Sequence, residues 1–529
     1  MSVKVSVKDV LTFWFPTDNY QEYWFNCEKD LEIVDLFKDL FHILSEQGEV
    51  YNEWLKTPIS RLACLIVLDQ FSRNLSRHDT SIDYKKYDHI TLHIAEKMIA
   101  DGIDKELPLS RRIFILLPLR HYAKSQNNST YLYTVLSKLK EYKEELGNSP
   151  LLTRFLNATY SSFTHLTDRI YNYRIITDIY DLHKYDDVLH PSYKTFKNPL
   201  DTYNEKIIRV LTDFVKKHNL SDIGVSLSGG VDSMMLVFLL KYLESKGFIR
   251  RVYAMHLEYT NRKESPLESE MLAMYCSFLD IPFYIRVIDY MSRDSVDRNF
   301  YEKTTKDVRF ETYRYLSEKF GIDGWCLGHI SDDVSENTAM NIFSGRDLLC
   351  MSVMDEKSTI ESVTILRPFL DTKKEEIYRL SLLYCVPHTK YSTPDWSSRG
   401  TLRRKVIPVI QKQWPNVMDT LVSIGEQSKQ WKDVIDNLVM KPIIKEILIQ
   451  NNVVMFPIKD EYLSLPLVIW TTIFLHIFHT IFGVRMISHK NLFYFVNMLQ
   501  INNKNNNKFR FSNKYNGVFK NKCLYIKYD

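Results

Sequence analysis

Apolar residues recur at three- and four-residue spacing through Leu31–Leu44, Arg61–Phe71, Ile90–Ile99 and Tyr131–Tyr142. That period gathers side chains on one face of an α-helix. Breaks fall at Gly48, Pro58, Gly102-Ile103-Asp104 and Gly147-Asn148-Ser149-Pro150, residue types that end helices and form turns. No alternating strand pattern is convincing before residue 185, so residues 1–185 are expected to form an all-helical domain of paired helices. Residues 186–203 are polar, carry Pro191 and Pro199, and read as a linker. The pattern then changes. Short apolar runs at Asp222–Leu227, Arg251–Leu257, Phe283–Ile288 and Gly324–Leu327 predict strands. Helical patterns at Val231–Ser245, Pro266–Leu279, Thr305–Lys319 and Asp332–Phe343 follow or separate them. Strands alternating with helices predict an α/β, doubly wound parallel sheet over residues 204–415. Such sheets take ligands beyond the carboxyl ends of their strands. From 416 to 529 the pattern turns helical, then mixed, and predicts a small helical and α+β region. Leu465–Phe482 is almost wholly apolar and about as long as a membrane span. It contains Pro466, His476 and His479, and a buried helix is expected there rather than a membrane helix.

Composition adds little until it is located. The net charge of +4 names no partner. Its distribution does: Trp396–Gln413 holds five Lys or Arg and no acid, and Val484 to the end holds nine and one. Clusters of that kind suit a polyanion. The seven cysteines are scattered without a C-x-x-C pair, which argues against a zinc ribbon and a disulfide framework. Without a signal-peptide pattern, a reducing, cytoplasmic location is expected.

The chemistry concentrates where the second character of the chain begins. Ser228-Gly229-Gly230-Val231-Asp232-Ser233 lies between a predicted strand and a predicted helix. Glycine lets backbone amides converge, and a helix N-terminus attracts anions. These six residues are therefore the candidate ATP and pyrophosphate site, with Ser228 and Ser233 adding hydroxyls. Asp232 repels phosphate and is better suited to a Mg²⁺ that bridges phosphates. The G-x-x-x-x-G-K-[S/T] loop and its lysine are absent, which favours pyrophosphate release over transfer of a γ-phosphoryl group. Downstream, Gly328-His329 and Asp332-Asp333-Val334-Ser335-Glu336-Asn337 open another helix. Asp333 and Glu336, three apart, share a face and can hold a cation such as an ammonium or Mg²⁺. Arg309 carries a guanidinium suited to phosphate. Arg399, Arg403 and Arg404 read as unpaired arginines on a loop, able to grip nucleic-acid phosphates.

These motifs together resemble the PP-loop ATP pyrophosphatases, which cleave ATP to AMP and pyrophosphate to form an adenylated intermediate. Within them, Gly328–Asn337 resembles G-H-x-x-D-D-x-x-E-[T/N] of the tRNA(Ile)-lysidine synthetases. Glu302, Arg309 and Phe310 resemble E-x-x-x-R-x-x-R-[Y/F], with Lys306 where the first arginine is usual. Arg367-Pro368-Phe369-Leu370 resembles R-P-L-L. Thr393–Arg404 departs from D-x-S-N…R-N-x-[I/L]-R by Ser398 and a shorter spacing. The basic tail, with Phe493, Tyr494, Phe509, Phe511 and Tyr515, resembles the acceptor-stem-binding end of that family and suits base stacking. The resemblance implies a ligase using ATP and Mg²⁺ that attaches lysine to a CAU-anticodon tRNA. Asp232, Asp333, Glu336 and Arg309 would be its catalytic residues, Arg399, Arg403 and Arg404 its tRNA contacts, and His329 a candidate base. The alternatives are a tRNA thiolase served by an external sulfur carrier, and a degenerate nucleotide-binding scaffold. In the first half, Phe13-Trp14-Phe15, Leu68-Asp69-Gln70-Phe71-Ser72-Arg73-Asn74 and Pro118-Leu119-Arg120-His121 resemble a tetratricopeptide-like family of unknown function. There Asp69, Arg73 and His121 either converge on a site or form a buried ion pair with a capped histidine. That half is a candidate surface for a protein partner.

Overall fold

The computed structural model of the chain describes residues 5–177, 183–190, 205–260, 263–352, 354–390, 398–450, 453–484, 487–502, 507–511 and 515–528. The chain divides into two compact units. One is Met1–Ile330 with Glu356–Pro394, the other Ser331–Asp355 with Asp395–Asp529.

The first unit opens with helices, among them Asp30–Ser45, Pro58–Leu65, Asp88–Ala100, Leu109–Ser125, Thr130–Leu146 and Pro150–Ser162. Two of the breaks seen in the sequence are helix starts. Thr57 caps the helix that Pro58 opens, and Ser149 caps the one that Pro150 opens, as expected of a side-chain cap followed by proline at the first position. Their apolar faces meet around Trp14, whose ring lies 5.3 Å from Phe71 and 5.8 Å from Phe114, both edge-to-face. Strand β1 (Ile170–Asn172) then leaves the helices and pairs antiparallel with β4 (Phe283–Ile288). No strand was expected so early, and three residues are too few for an alternating pattern to show. Arg286 on β4, fully buried, donates from Nη2 to the Phe163 carbonyl at 2.6 Å and from Nη1 to that of Leu166. The Phe163 ring stacks on Tyr290 at 4.0 Å. The helices and the sheet are thus joined by backbone pairing, a buried guanidinium and an aromatic stack.

The sheet has seven strands in the order β1-β4-β3-β2-β5-β7-β6. Here β2 is Asp222–Ser226, β3 Arg251–Tyr259, β5 Gly324–Cys326, β6 Lys357–Ile360 and β7 Val363–Leu366. Strands β2–β5 and β7 run parallel, as the doubly wound pattern predicts. The two edges, β1 and β6, run antiparallel, and the β6–β7 hairpin was not anticipated. The linker expected over 186–203 lies mostly outside the described residues. Its described start bridges Leu189 to Thr389.

The second unit holds helix Ser331–Phe343, a helical run from Ser398 to Gln413 and the long helix Val417–Ile435. It ends in a five-stranded antiparallel sheet, β10-β11-β12-β9-β8, with β8 at Leu448–Gln450, β9 at Val453–Pro457, β10 at Asn507–Arg510, β11 at Tyr515–Lys520 and β12 at Cys523–Tyr528. The apolar run becomes helix Leu467–Leu475 followed by a π-helical turn to Ile481. Its Phe474 packs on Phe495 and Phe511, so its length is used inside a protein core. Among the described residues no helix is long and apolar enough to cross a membrane.

Candidate active site

Strand β2 is the central parallel strand, flanked by β3 and β5. Its carboxyl end runs into Leu227–Gly230, and helix Val231–Ser245 begins at once. Gly229 has φ +81°, a backbone state that side chains rarely adopt. That turn lets the chain reverse within two residues and open a helix. The loop is held by its own serines. The Ser233 hydroxyl donates to the Gly230 carbonyl at 2.9 Å and accepts from the Ser228 amide at 3.2 Å. The Ser228 hydroxyl lies 3.1 Å from that of Ser233. Ser233 is buried while Ser228 is exposed, so one hydroxyl braces the loop and the other faces outward. The helix's first amides have no partner within the helix and crown its positive end. This is an anion site in physical terms.

Three neighbours brace it. His256 on β3 donates from Nδ1 to the Leu227 carbonyl at 2.8 Å. Thr389 donates its amide to the Gly229 carbonyl at 2.9 Å. Gly328, just past β5, presses its backbone on the first helical turn: a Cβ there would stand 2.8 Å from the Ser233 nitrogen. Of the two glycines in the Gly-Gly pair and the one in Gly-His, the last is thus required by close approach.

Asp232 meets a residue that the sequence reading missed. Lys374 Nζ donates to Asp232 Oδ2 at 2.5 Å. Lys374 is the first residue of helix Lys374–Leu383, where a cation is disfavoured by the helix dipole. A lysine in that position, unexplained locally, is the signal that could have found it. Arg309, on helix Arg298–Phe320, donates from Nη2 to the Tyr259 hydroxyl at the carboxyl end of β3, at 3.1 Å. That hydroxyl raises the pKa of an already cationic group. On the same helix Tyr313 donates to Ser226 Oγ at 2.6 Å and stacks on Trp325 at 4.6 Å. Glu302 turns instead to Arg298 at 2.8 Å, and Lys306 to Glu361 at 2.8 Å. His329 accepts at Nδ1 from Arg367 Nε at 3.3 Å. A guanidinium at that lone pair takes the nitrogen a general base would use. Burial pushes the thiols of Cys276 and Cys326 up, which keeps them protonated and poorly nucleophilic.

In the second unit, helix Ser331–Phe343 does present Asp333 and Glu336 side by side, and both are buried. The arginines correct the sequence reading. Arg399 and Arg403 lie on a helical run, not a loop, and they are not unpaired. Arg399 donates from Nε to Glu336 at 2.8 Å and from Nη2 to Asp333. Arg403 donates from Nε to Glu336 at 2.6 Å and from Nη2 to Asp333 at 3.2 Å. The spacing of four places the two guanidinium groups on one face, as three places the two carboxylates. Two cations and two anions close a neutral, multiply bonded cluster. Arg404 is exposed on the other side of the run, and residues 391–397 of the motif lie outside the described residues. Of the aromatic residues expected to stack bases, Phe509, Phe511 and Tyr515 are core residues, whereas Phe493 and Tyr494 are exposed.

A parallel sheet whose central strand opens through a glycine turn into a helix defines a nucleotide-binding α/β protein. More narrowly, residues 203–410 match the family model described as a PP-loop domain, and residues 10–171 match one described as a bacterial protein of unknown function. The chain is 26% identical over 246 residues to the bifunctional protein TilS/HprT of Listeria innocua, covering 45% of this chain and 37% of that one. It is 25% identical over 207 residues to the tRNA(Ile)-lysidine synthase of Enterococcus faecalis, covering 39% of this chain and 44% of that one. The chain therefore spans less than half the length of these two curated relatives. Among solved structures, the U34-tRNA thiolase NcsA of Methanococcus maripaludis is 17% identical, with a TM-score of 0.34, over 45% of this chain and 85% of that one.

Proposed function

We propose that this chain is an ATP-dependent ligase of the tRNA(Ile)-lysidine synthetase type. ATP would adenylate C2 of an anticodon cytidine in a CAU-anticodon tRNA, releasing pyrophosphate, and the amine of lysine would then displace AMP. The observation that carries this reading is the Ser228–Ser233 loop. It has a left-handed Gly229, a serine brace and a helix N-terminus at the central strand of a PP-loop domain. Such a loop holds a leaving pyrophosphate by amides and hydroxyls, without the phosphate lysine that γ-phosphoryl transfer employs. The curated relative named a tRNA(Ile)-lysidine synthase supports the choice within the class.

The residues divide the work by charge. Val231, Gly229, Gly230, Ser228 and Ser233 would take the pyrophosphate. Lys374 adds a cation that the sequence reading lacked, and Arg309 would meet a phosphate or the activated base. Among the described residues no cluster of three metal-ligating side chains exists. A Mg²⁺ would fit here as it does in other nucleotide sites, through one carboxylate, Asp232, with the substrate's phosphates completing its shell. It would neutralise charge on the leaving pyrophosphate. Asp333 and Glu336 would hold the lysine ammonium. That both carboxylates are buried and accept from guanidinium groups supports this role for a cationic nitrogen. The ammonium must lose a proton before it attacks, and His329, committed to Arg367, is not suited to remove it.

The test is transfer of labelled lysine to a CAU-anticodon tRNA with ATP and Mg²⁺, beside an Asp232→Ala control. Incorporation that disappears in the control supports the ligase. No incorporation, but pyrophosphate release that needs tRNA, would keep the adenylation step and replace lysine by another nucleophile, a sulfur donor included. Neither signal across a mixed tRNA pool would overturn the reading.

A further inference from the structure

We propose that Tyr313 and Ser226 form a positioning pair, which holds Arg309 in place relative to the Ser228–Ser233 loop so that its guanidinium meets a phosphate of ATP. The inference rests on the function proposed above and deepens it, because it gives two residues outside the recognised motifs a part in holding the nucleotide.

Arg309 itself asks for an anion. It is half-buried on helix Arg298–Phe320, and its Nη2 donates to the Tyr259 hydroxyl at 3.1 Å. Tyr259 is the last residue of β3, so the guanidinium stands at the carboxyl edge of the sheet, where doubly wound folds take their ligands. A guanidinium is a fork of several N–H donors, and the hydroxyl engages one of them. Among the described residues Arg309 forms no ion pair with a carboxylate, and the groups that act on it are Tyr259 and Tyr313. A partly buried cation without a counter-charge is unfavourable, and phosphate oxygens match its planar fork.

What places the guanidinium lies one turn further along the same helix. Tyr313 shares the face of Arg309 and is fully buried. Its hydroxyl donates to Ser226 Oγ at 2.6 Å. Ser226 is the last residue of β2, just before the loop that Ser228 opens. The Tyr313 ring stacks on Trp325 at 4.6 Å, and the Trp325 indole donates to the Ser317 hydroxyl at 2.9 Å, another turn down the helix. Trp325 in turn sits opposite Gly224 in the β2–β5 ladder. A Cβ on Gly224 would stand 2.6 Å from the Trp325 ring, so that ring lies against the backbone of β2. Helix, indole and central strand are three layers in contact, and two side-chain hydrogen bonds fix where the helix stands along them.

Packing alone does not call for the Tyr313 hydroxyl. A phenylalanine would keep the ring contacts and bring no buried donor to satisfy. The hydroxyl adds direction, since it ties the helix that carries Arg309 to the strand that turns into the loop. A shift of the helix by one residue's rise would carry Arg309 about 1.5 Å along the axis. A misplacement of about 1 Å in a positioning group costs about 10²-fold in rate. Loop and guanidinium belong to different elements, and the Tyr313–Ser226 bond is the direct link between those elements at the end where the nucleotide would lie.

Calorimetric titration of the full-length chain with ATP tests this through a double-mutant cycle. Arg309→Gln is expected to weaken ATP about tenfold, the loss of one charge-assisted hydrogen bond. Tyr313→Phe keeps the ring and is expected to weaken ATP about fivefold, the worth of one neutral hydrogen bond. Combined with Arg309→Gln it should add nothing, because the pair acts only through the guanidinium, whereas a merely structural role would make the two losses multiply. Ser226→Ala removes the same bond from the strand side, and it decides the matter if Tyr313→Phe does not fold. Wild-type affinity in both Tyr313→Phe and Ser226→Ala, losses that multiply in the double variant, or a wild-type chain that binds no ATP would overturn the pair. The expected cycle in a chain that neither transfers lysine nor releases pyrophosphate would support the pair and remove the ligase reading, so the two can fail separately.

Discussion

Gly328→Ala adds one methyl group where the end of β5 meets the loop helix. An ideal Cβ at that position stands 2.8 Å from the Ser233 nitrogen, 2.9 Å from the Asp232 carbonyl carbon and 3.0 Å from the Ser233 Cα. All three are backbone atoms, so no rotamer change relieves the clash. Non-bonded carbon atoms rest about 3.5–4.0 Å apart, which means the two backbones must separate by about 0.5–1 Å. The sheet side cannot yield easily, because Trp325 and Cys326 are fully buried and pair with Gly224 and Val225 of β2. The helix's first turn must move instead, and it carries Ser233, whose hydroxyl braces the loop. Overpacking of this kind costs about 1–3 kcal/mol of stability, against a total of about 5–15 kcal/mol, so the variant stays folded at 25 °C. A displacement of about 1 Å in a positioning group costs about 10²-fold in rate. Activity should therefore fall much further than the folded fraction. The assay is tRNA-dependent ATP–pyrophosphate exchange, with kcat/KM for ATP set against the thermal midpoint. Gly48→Ala is the control, since a Cβ there meets nothing within 4 Å. Exchange at the wild-type rate in Gly328→Ala, or a loss no larger than the unfolded fraction explains, would refute the claim that this contact sets the loop.

Lys374→Met removes the lysine that pairs with Asp232 beside the phosphate site. The KM for ATP in the exchange assay should rise about tenfold, roughly 1.4 kcal/mol, and an unchanged or lower KM would remove Lys374 from the site. Asp333→Asn with Glu336→Gln should abolish lysine transfer while tRNA-dependent pyrophosphate release persists, and loss of both signals together would show that the pair is not confined to the amine step. His388, 3% exposed, has its pKa pressed by burial, and then by His190, from 6.5 to about 4. The folded state keeps this ring neutral while the unfolded state takes up its proton near 6.5, so stability is full above that pH and is lost as pH falls toward 4, by up to about 3 kcal/mol. Denaturation of His388→Gln should show a shallower decline across that window, and an identical decline would assign it to other groups.

Much of the scaffold could be read in advance because its signals are local. Helix Val231–Ser245 starts and stops at the residues its pattern indicated, and β2 to β5 are short apolar runs bounded by polar ends. The misses have physical causes. Helix Arg298–Phe320 begins seven residues before the apolar pattern suggests, because its first turns are polar. Its start is written instead in Asp297, which accepts from the amides of Asn299 and Phe300 at 2.9 and 3.1 Å. The β6–β7 hairpin turns through Glu361 and Ser362, both at positive φ, and neither residue type announces such a turn. The loop was legible because strand, glycine turn and helix cap are consecutive. Lys374 was not, being 142 residues from its partner Asp232.

The same distinction governs how a basic run should be understood. Charge along a sequence is a surface property only if no acid from elsewhere in the fold has claimed it. Of the five cations between Trp396 and Gln413, Arg399 and Arg403 are held by two buried carboxylates more than sixty residues away. Both carboxylates are buried, and an isolated buried charge is strongly unfavourable, so the guanidinium groups that pair with them are not spare. On the proposed function, an amine bound to Asp333 and Glu336 would displace at least part of a guanidinium. Lys405 and Lys412, both exposed, are the part of the run that long-range attraction to a polyanion can use directly.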